Sequence, residues 1–294
     1  MKMAITGKGG VGKTTFAAII SRLYAKEGCN VLAVDADADP NLALALGFPK
    51  EVIDSIIPIA EMKTLVADRT NSNQESFGKM FKINPKVDDI PERYCKEFNK
   101  VKLLTMGTVE SGGSGCICPE NVLLKRLTSH LVIQNKDIVV MDMEAGIEHM
   151  GRGTAQGVDV FIVVVEPGIR SLKTYFHVKK LAADLGVKKV FIVGNKIHCD
   201  EDQKYILSNI DEEECLGFMR FRSEVGNADR ENLSPYTSSL ETVEEIKIIK
   251  TKLEDYLTKK IFRRGFDVRI KCLFNYKRKR AENNGLLYCS NTTG

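Results

Sequence analysis

The chain has 294 residues, 43% of them apolar and none of them tryptophan, with a formal net charge of +4; that is length and apolar content enough for one large α/β domain or two small ones, and one domain plus a tail is expected. The longest apolar runs, such as Val160–Val165, are strand length, so no membrane partner is expected. The positive charge is localised: residues 259–294 carry ten Lys/Arg against Asp267 and Glu282, leaving residues 1–258 at −4, and no nucleic-acid partner is expected for that body.

In chain order, the apolar Met3-Ala4-Ile5 reads as a strand and Phe16 to Ala25 as a helix. Between them stands Gly7-Lys8-Gly9-Gly10-Val11-Gly12-Lys13-Thr14-Thr15. Strand, glycine-rich loop and helix in that order make a P-loop. Its glycines let successive N–H groups from Gly9 to Thr15 point at phosphate oxygens, and the helix N-terminus adds its positive dipole end. Lys13 is expected on the β/γ-phosphates and the Thr14 hydroxyl on Mg2+, which specifies a nucleoside triphosphate, with ATP as the cofactor. Lys8 is a second lysine, too near the start of the loop to share the seat of Lys13. The chain enters its first strand without a basic and apolar leader, so a cytoplasmic location and mostly reduced cysteines are expected.

Val31 to Val34 reads as a second buried strand, ending in Asp35-Ala36-Asp37-Ala38-Asp39-Pro40-Asn41. Three acids at alternate positions repel one another, which suits residues facing Mg2+ or an attacking water. From Glu51 to Lys100 the periodicity weakens. Thr70–Gln74 reads as an exposed loop and Lys82–Pro91 as extended chain, so the region looks like an insertion covering one face. Cys95, without partner spacing, reads as a small buried hydrophobe.

Val101 to Met106 is the next strand and runs into Glu110-Ser111-Gly112-Gly113-Ser114-Gly115-Cys116-Ile117-Cys118-Pro119-Glu120. Two cysteines one residue apart are awkwardly placed to bond each other but can both grip one metal ion. Pro119 suits the first position of a helix through Val122, Leu123, Leu124 and Leu127, putting Cys118 where the helix dipole favours a thiolate.

Ile138 to Gly146 gives a core strand ending in Asp142, expected to touch Mg2+ through water. Gly146 leaves the following switch free to move when the γ-phosphate departs. Phe161–Val165 and Val190–Val193 are further continuous apolar strands, as an internal parallel sheet requires, with a helix from Ser171 to Leu185 between them. Asn195 follows the second of these, where its amide can pair with an adenine edge or simply form a turn. Glu241 to Leu257 reads as a closing amphipathic helix. The tail from Phe266 to Lys277 alternates with a period of two and carries no assignable function.

Two resemblances follow from these residues. The loop with its early Lys8 resembles the deviant Walker A group of P-loop ATPases, which includes septum-site and plasmid-partition ATPases, the arsenite-pump ATPase and the nitrogenase iron protein. That resemblance implies a doubly wound, mostly parallel α/β sheet flanked by helices, and a homodimer closing around two ATP molecules. It also implies that Lys8 acts in trans on the partner's phosphates, that Asp37 orients the attacking water, that Asp39 is a switch residue near the metal, and that Asn195 reads adenine.

The cysteine loop, the stretch Asp142–His149 with Gly151-Arg152-Gly153-Thr154, and Glu166-Pro167-Gly168 together resemble the narrower CooC-type nickel-insertion ATPases over about residues 1–255. That implies an ATP-driven metallochaperone whose Cys116 and Cys118 meet their counterparts across the dimer to hold one Ni2+ or Zn2+. The implied partner is a client nickel enzyme such as carbon monoxide dehydrogenase. A septum or plasmid positioning ATPase, an iron–sulfur reductase like the nitrogenase iron protein, and a regulatory ATPase with incidental thiols are the alternatives. The domain is expected to span 1–258, with 259–294 as a basic tail.

Overall fold

The computed structural model describes residues 1–72, 81–107, 118–134, 138–144, 157–187 and 189–262. Eight strands form one sheet: β1 (Lys2–Thr6), β2 (Val31–Ala36), β3 (Lys96–Phe98), β4 (Val101–Thr105), β5 (Ile138–Met143), β6 (Val160–Val165), β7 (Val190–Ile197) and β8 (Cys215–Arg220). Their spatial order is β3-β4-β2-β5-β1-β6-β7-β8. All neighbours run parallel except β3, which pairs antiparallel with β4 at one edge. The expected doubly wound, mostly parallel sheet is present.

The residues alternate between two cores, as the period of two demands. Met3, Ile5, Val140, Ile162 and Val164 pack on one face with Phe16, Ile19 and Ile20 of the helix Lys13–Lys26 and with Ile246, Ile249 and Leu253 of the closing helix Leu240–Phe262. Ala4, Val139, Met141, Phe161 and Val163 pack on the other with Leu123 and Leu127 of the helix Pro119–Gln134 and Leu172, Tyr175 and Val178 of the helix Ile169–Asp184. Both faces are covered, so the strands read as continuous apolar runs. Truncating a fully buried anchor such as Phe16 to alanine costs about 3–5 kcal/mol. The closing helix is also pinned by buried Lys250, which donates to Glu27 at 2.7 Å and Glu254 at 2.8 Å; it continues past residue 258, the expected end of the domain, to Phe262.

The segment 51–100, expected to cover one face, packs on both. Ile59, Leu65, Val66, Val87 and Ile90 bury themselves in the second core, while Val52, Ile53, Ile56 and Phe98 pack against the first. Two further details differ from the sequence reading. The stretch expected to be extended ends in a short helix, Ile90–Tyr94, with Pro91 in its first turn, a position where the missing N–H is harmless. Next, β3 and β4 form a hairpin whose two turn residues, Asn99 (φ 50°) and Lys100 (φ 63°), are both left-handed, as a two-residue hairpin requires. Among the described residues no helix is long and apolar enough to cross a membrane. The alternating tail 266–277 lies outside the described residues.

Candidate active site

A cleft of about 820 Å3 opens at the C-terminal edge of the sheet, floored by the loop after β1 and walled by Asp37, Asp39 and Glu144. This is the edge at which open α/β sheets place their ligands, because parallel strands bring every βα loop to it.

The loop is wedged from both sides. A Cβ on Gly7 would stand 2.5 Å from the Val164 carbonyl oxygen of β6, and one on Gly12 (φ +93°) would stand 2.2 Å from the Asn195 amide nitrogen of β7. Only glycine fits either place. The Gly12 carbonyl then accepts from Phe16 N–H at 3.1 Å, starting the helix directly behind the loop. Lys13 is buried with its Nζ 3.5 Å from Asp37 Oδ2, so the two side chains share one space at the cleft floor. Thr14 and Thr15 line the same cleft, as do Gly9 and Gly10. Lys8 lines its mouth and is exposed.

The three alternate acids divide their work, which corrects the expectation that all three face metal or water. Asp35 is 1% exposed; its oxygens accept from Leu42 N–H at 2.8 Å and Asp37 N–H at 3.3 Å, so it braces the turn rather than facing the cleft. Burial pushes its carboxyl up to about 7, against the pull of those two backbone bonds. Asp37 is half-buried and faces the cleft; Asp39 is exposed at its rim.

Asp142 stands beside Asp35 in the register of β2 and β5 and is fully buried. Burial raises its carboxyl to about 6, with Thr14 and Lys13 pulling it back and Asp37 pushing further up. Although Thr14 lies near, neither carboxylate oxygen has a hydrogen-bond partner at bonding geometry. An orphaned buried carboxylate beside a threonine hydroxyl is a hard-oxygen donor set that fits Mg2+, which typically takes one or two carboxylate contacts and completes its shell with phosphate and water. Asp142 and Thr14 would hold the ion, which when bound neutralises charge on the β- and γ-phosphates. Thr6 Oγ1 donates to the Glu144 carbonyl at 2.7 Å, tying the end of β5 to the loop strand.

Residues 2–236 match the family model described as the CobQ/CobB/MinD/ParA nucleotide binding domain. The chain belongs to this family. It is 46% identical to the carbon monoxide dehydrogenase accessory protein CooC of Rhodospirillum rubrum, over 81% of this chain and 90% of that one. Its fold matches the MinC:MinD cell division protein complex of Aquifex aeolicus at a TM-score of 0.59 and 18% identity, covering 87% and 96% of the two chains. The septum site-determining protein MinD of Pyrococcus horikoshii, solved with Mg-ADP, gives 0.58 at 20% identity, covering 86% and 95%. As a MinD/ParA-type protein with this cleft, the chain is a P-loop ATPase that takes nucleotide and Mg2+.

Other expected residues fall as follows. Asn195 is absent from the cleft lining; its Nδ2 donates to the Val11 carbonyl at 2.7 Å. Cys118 immediately precedes the helix Pro119–Gln134, and its Sγ accepts from Asn121 N–H at 3.5 Å. Cys116 and the switch from Gly146 onward lie outside the described residues. Among the described residues no group of three or more His, Cys, Asp or Glu is placed to hold a metal. Cys95, expected to be buried, is half-buried against the second core, and burial pushes its thiol up to about 11, which leaves it inert. Sequence reasoning missed the apolar wall of the cleft, made by Leu44, Val225, Leu233 and Pro235, and it missed Lys196, whose Nζ donates to the Gly10 carbonyl at 2.8 Å. Neither had a local signal, since both depend on segments far apart in sequence.

Proposed function

We propose that this protein is a cytoplasmic, ATP-hydrolysing metallochaperone that closes as a homodimer around ATP. The Cys116 and Cys118 thiolates of both copies then hold one Ni2+, with Zn2+ as the competing ion, for insertion into carbon monoxide dehydrogenase or a related nickel enzyme. The observation that carries the reading is the place of Cys118. It immediately precedes the helix Pro119–Gln134, an end where a helix dipole favours thiolate. The accessory role named for the Rhodospirillum rubrum relative supports the client. Exposed Lys8 at the cleft mouth supports a residue that reaches a second copy. Two sulfurs underfill a metal's shell and four complete it, so the site needs the partner. Lys8 then neutralises charge on the partner's γ-phosphate while Asp37 orients the attacking water.

The test is a Ni2+ titration of wild type and Cys118→Ser, with and without a non-hydrolysable ATP analogue, with light scattering to read the oligomer. One Ni2+ per two chains is expected, held at least fivefold tighter with the analogue, a coupling within the ordinary allosteric range of about 5–150-fold. Cys118→Ser should remove that coupling and leave ATP affinity within about twofold. One metal held tightly per monomer, indifferent to Cys118→Ser, would overturn the shared site. Iron with sulfide in anaerobically purified protein would move the reading to a reductase.

A further inference from the structure

A second concavity shares no lining residue with the nucleotide cleft. It is a groove of about 470 Å3 on the side of the second core, between the irregular stretch 82–88 and the helix Pro119–Gln134. The helix divides its surface by spacing. Leu123, Leu127 and Leu131 recur every four residues and are buried in the second core, while Arg126, Ser129, His130 and Ile133 take the i, i+3, i+4, i+7 positions of a neighbouring stripe and line the groove. Residues so spaced share one face. The other wall carries exposed Lys82 and Lys86, with Pro85 and Val87 buried between them and the core. That wall is already fixed: Lys82 N–H donates to the Thr70 carbonyl at 2.6 Å, and Arg69 donates to the Lys86 carbonyl at 3.3 Å and to Asp89 Oδ2 at 2.6 Å. A surface held in shape in advance costs less to bind.

Charge marks what the groove takes. Residues 1–258 carry −4 in total, yet here Lys82, Lys86 and Arg126 stand together against one carboxylate, Asp88. Lys86 meets Asp88 at 3.7 Å with both side chains exposed, and a surface pair of that kind contributes little. Among the described residues, the side chains of Lys82, Arg126 and His130 have no hydrogen bond or ion pair. Apolar area lies beside the cations: Ile133 is 51% exposed and Ile83, next to Lys82, is 76% exposed. Nucleic-acid sites are more uniformly cationic, and single strands seek aromatic platforms, whereas this groove presents a carboxylate and isoleucine and neither Phe nor Tyr. The chain's own tail, residues 259–294, has ten Lys/Arg against two acids. Its sign is wrong for this groove.

We propose that this groove docks an acidic, partly apolar segment of a protein partner, whose carboxylates meet Lys82, Lys86 and Arg126 while an aliphatic side chain covers Ile133. The helix that walls the groove begins directly after Cys118, and at 1.5 Å per residue His130 lies about 18 Å along its axis from that cysteine. One helix thus joins the docked partner to the cysteine loop. The proposal goes beyond the metal reading and stands without it, since the groove contains neither cysteine.

The test titrates the full chain into a fluorescein-labelled peptide of glutamates with a leucine at every third position, read by fluorescence anisotropy, with a single-stranded DNA oligonucleotide of equal charge as the second arm. The peptide should bind, and more weakly as salt rises. Lys82→Glu and Arg126→Glu should each lower its affinity about tenfold, the scale of one charge-assisted contact, and Ile133→Ser about threefold, for part of one aliphatic side chain. Lys204→Glu, a reversal of an exposed lysine on the helix Asp200–Leu207, should leave the affinity unchanged. ATP affinity should be equal to wild type in all four variants, which shows each of them folded. Absence of peptide binding by wild type would overturn the proposal. A loss in Arg126→Glu no larger than in Lys204→Glu would overturn it too, because that is attraction to overall charge without a site. Tighter binding of the oligonucleotide than of the peptide, lost in Arg126→Glu, would make the groove a nucleic-acid surface and overturn the protein partner.

Discussion

The ends of β1 and β4 lie on the same edge of one sheet, and each is followed in sequence by a glycine-rich stretch and then by a helix. They differ in how their sites are completed. After β1, the P-loop with Lys13 and Thr14 and the facing Asp37 line one cleft within a single chain, with buried Asp142 close to Thr14 and Lys13. After β4, the proposed metal site has two sulfurs per chain, and a full shell of four requires a second copy. A nucleotide brings many acceptor oxygens and can be held by the backbone of one loop. A soft metal needs a fixed number of sulfurs, so its site can be divided between copies, and occupancy becomes a report on assembly. On the proposed reading, one chain binds nucleotide by itself, while turnover and metal both need the second copy.

The largest effect that would break this comparison is on turnover. Lys8→Ala should lower kcat about a thousandfold or more, the range of a charge supplied in trans, while ATP affinity stays near wild type. Lys13→Ala should instead weaken ATP binding by about ten- to a hundredfold, the worth of a charge-assisted bond of about 1.5–3 kcal/mol. Equal losses of affinity in the two variants, measured by equilibrium titration, would place both lysines within one chain's own cleft. Next in size, Asp37→Asn should cut kcat by about 10²–10⁴-fold and accumulate an ATP-bound dimer visible by light scattering; retained turnover would remove Asp37 from the attacking water.

The smallest effect is a pH dependence. Asp35 and Asp142 titrate in the folded protein at about 7 and about 6 against an ordinary 3.8. Between pH 4 and 7 the folded state therefore binds more protons than the unfolded one, and these two groups make stability fall as pH rises through that window. The melting temperature of the unliganded protein should rise by a few degrees from pH 8 to pH 6, and Asp142→Asn should flatten that slope. Mg2+ requires the charged carboxylate, so the stabilisation given by Mg2+ with ATP should shrink as pH falls through about 6. A slope identical in wild type and Asp142→Asn would take Asp142 out of this linkage.

What the sequence determined by itself was whatever is contiguous. The P-loop carries its amides, Lys13 and Thr14 within nine residues, and buried parallel strands announce themselves as unbroken apolar runs, so β1, β2, β4, β5, β6 and β7 and the acids at their ends were legible. The edges were not. β3 is three residues long, and its turn uses Asn99-Lys100 instead of the glycine that signals a tight hairpin; β8 carries Gly217 at φ 153° among mixed residues. Of the three alternate acids, spacing could not separate Asp35 from Asp37, because burial is set by the strands on either side. Asn195 sits 184 residues from the carbonyl it grips, and Lys196 is 186 from its own. Only the folding of β7 beside β6 and β1, with one left-handed residue, Lys196, at its end, brought both side chains onto the loop: periodicity describes a residue's own element, while a contact of that span is made by the packing of elements against one another.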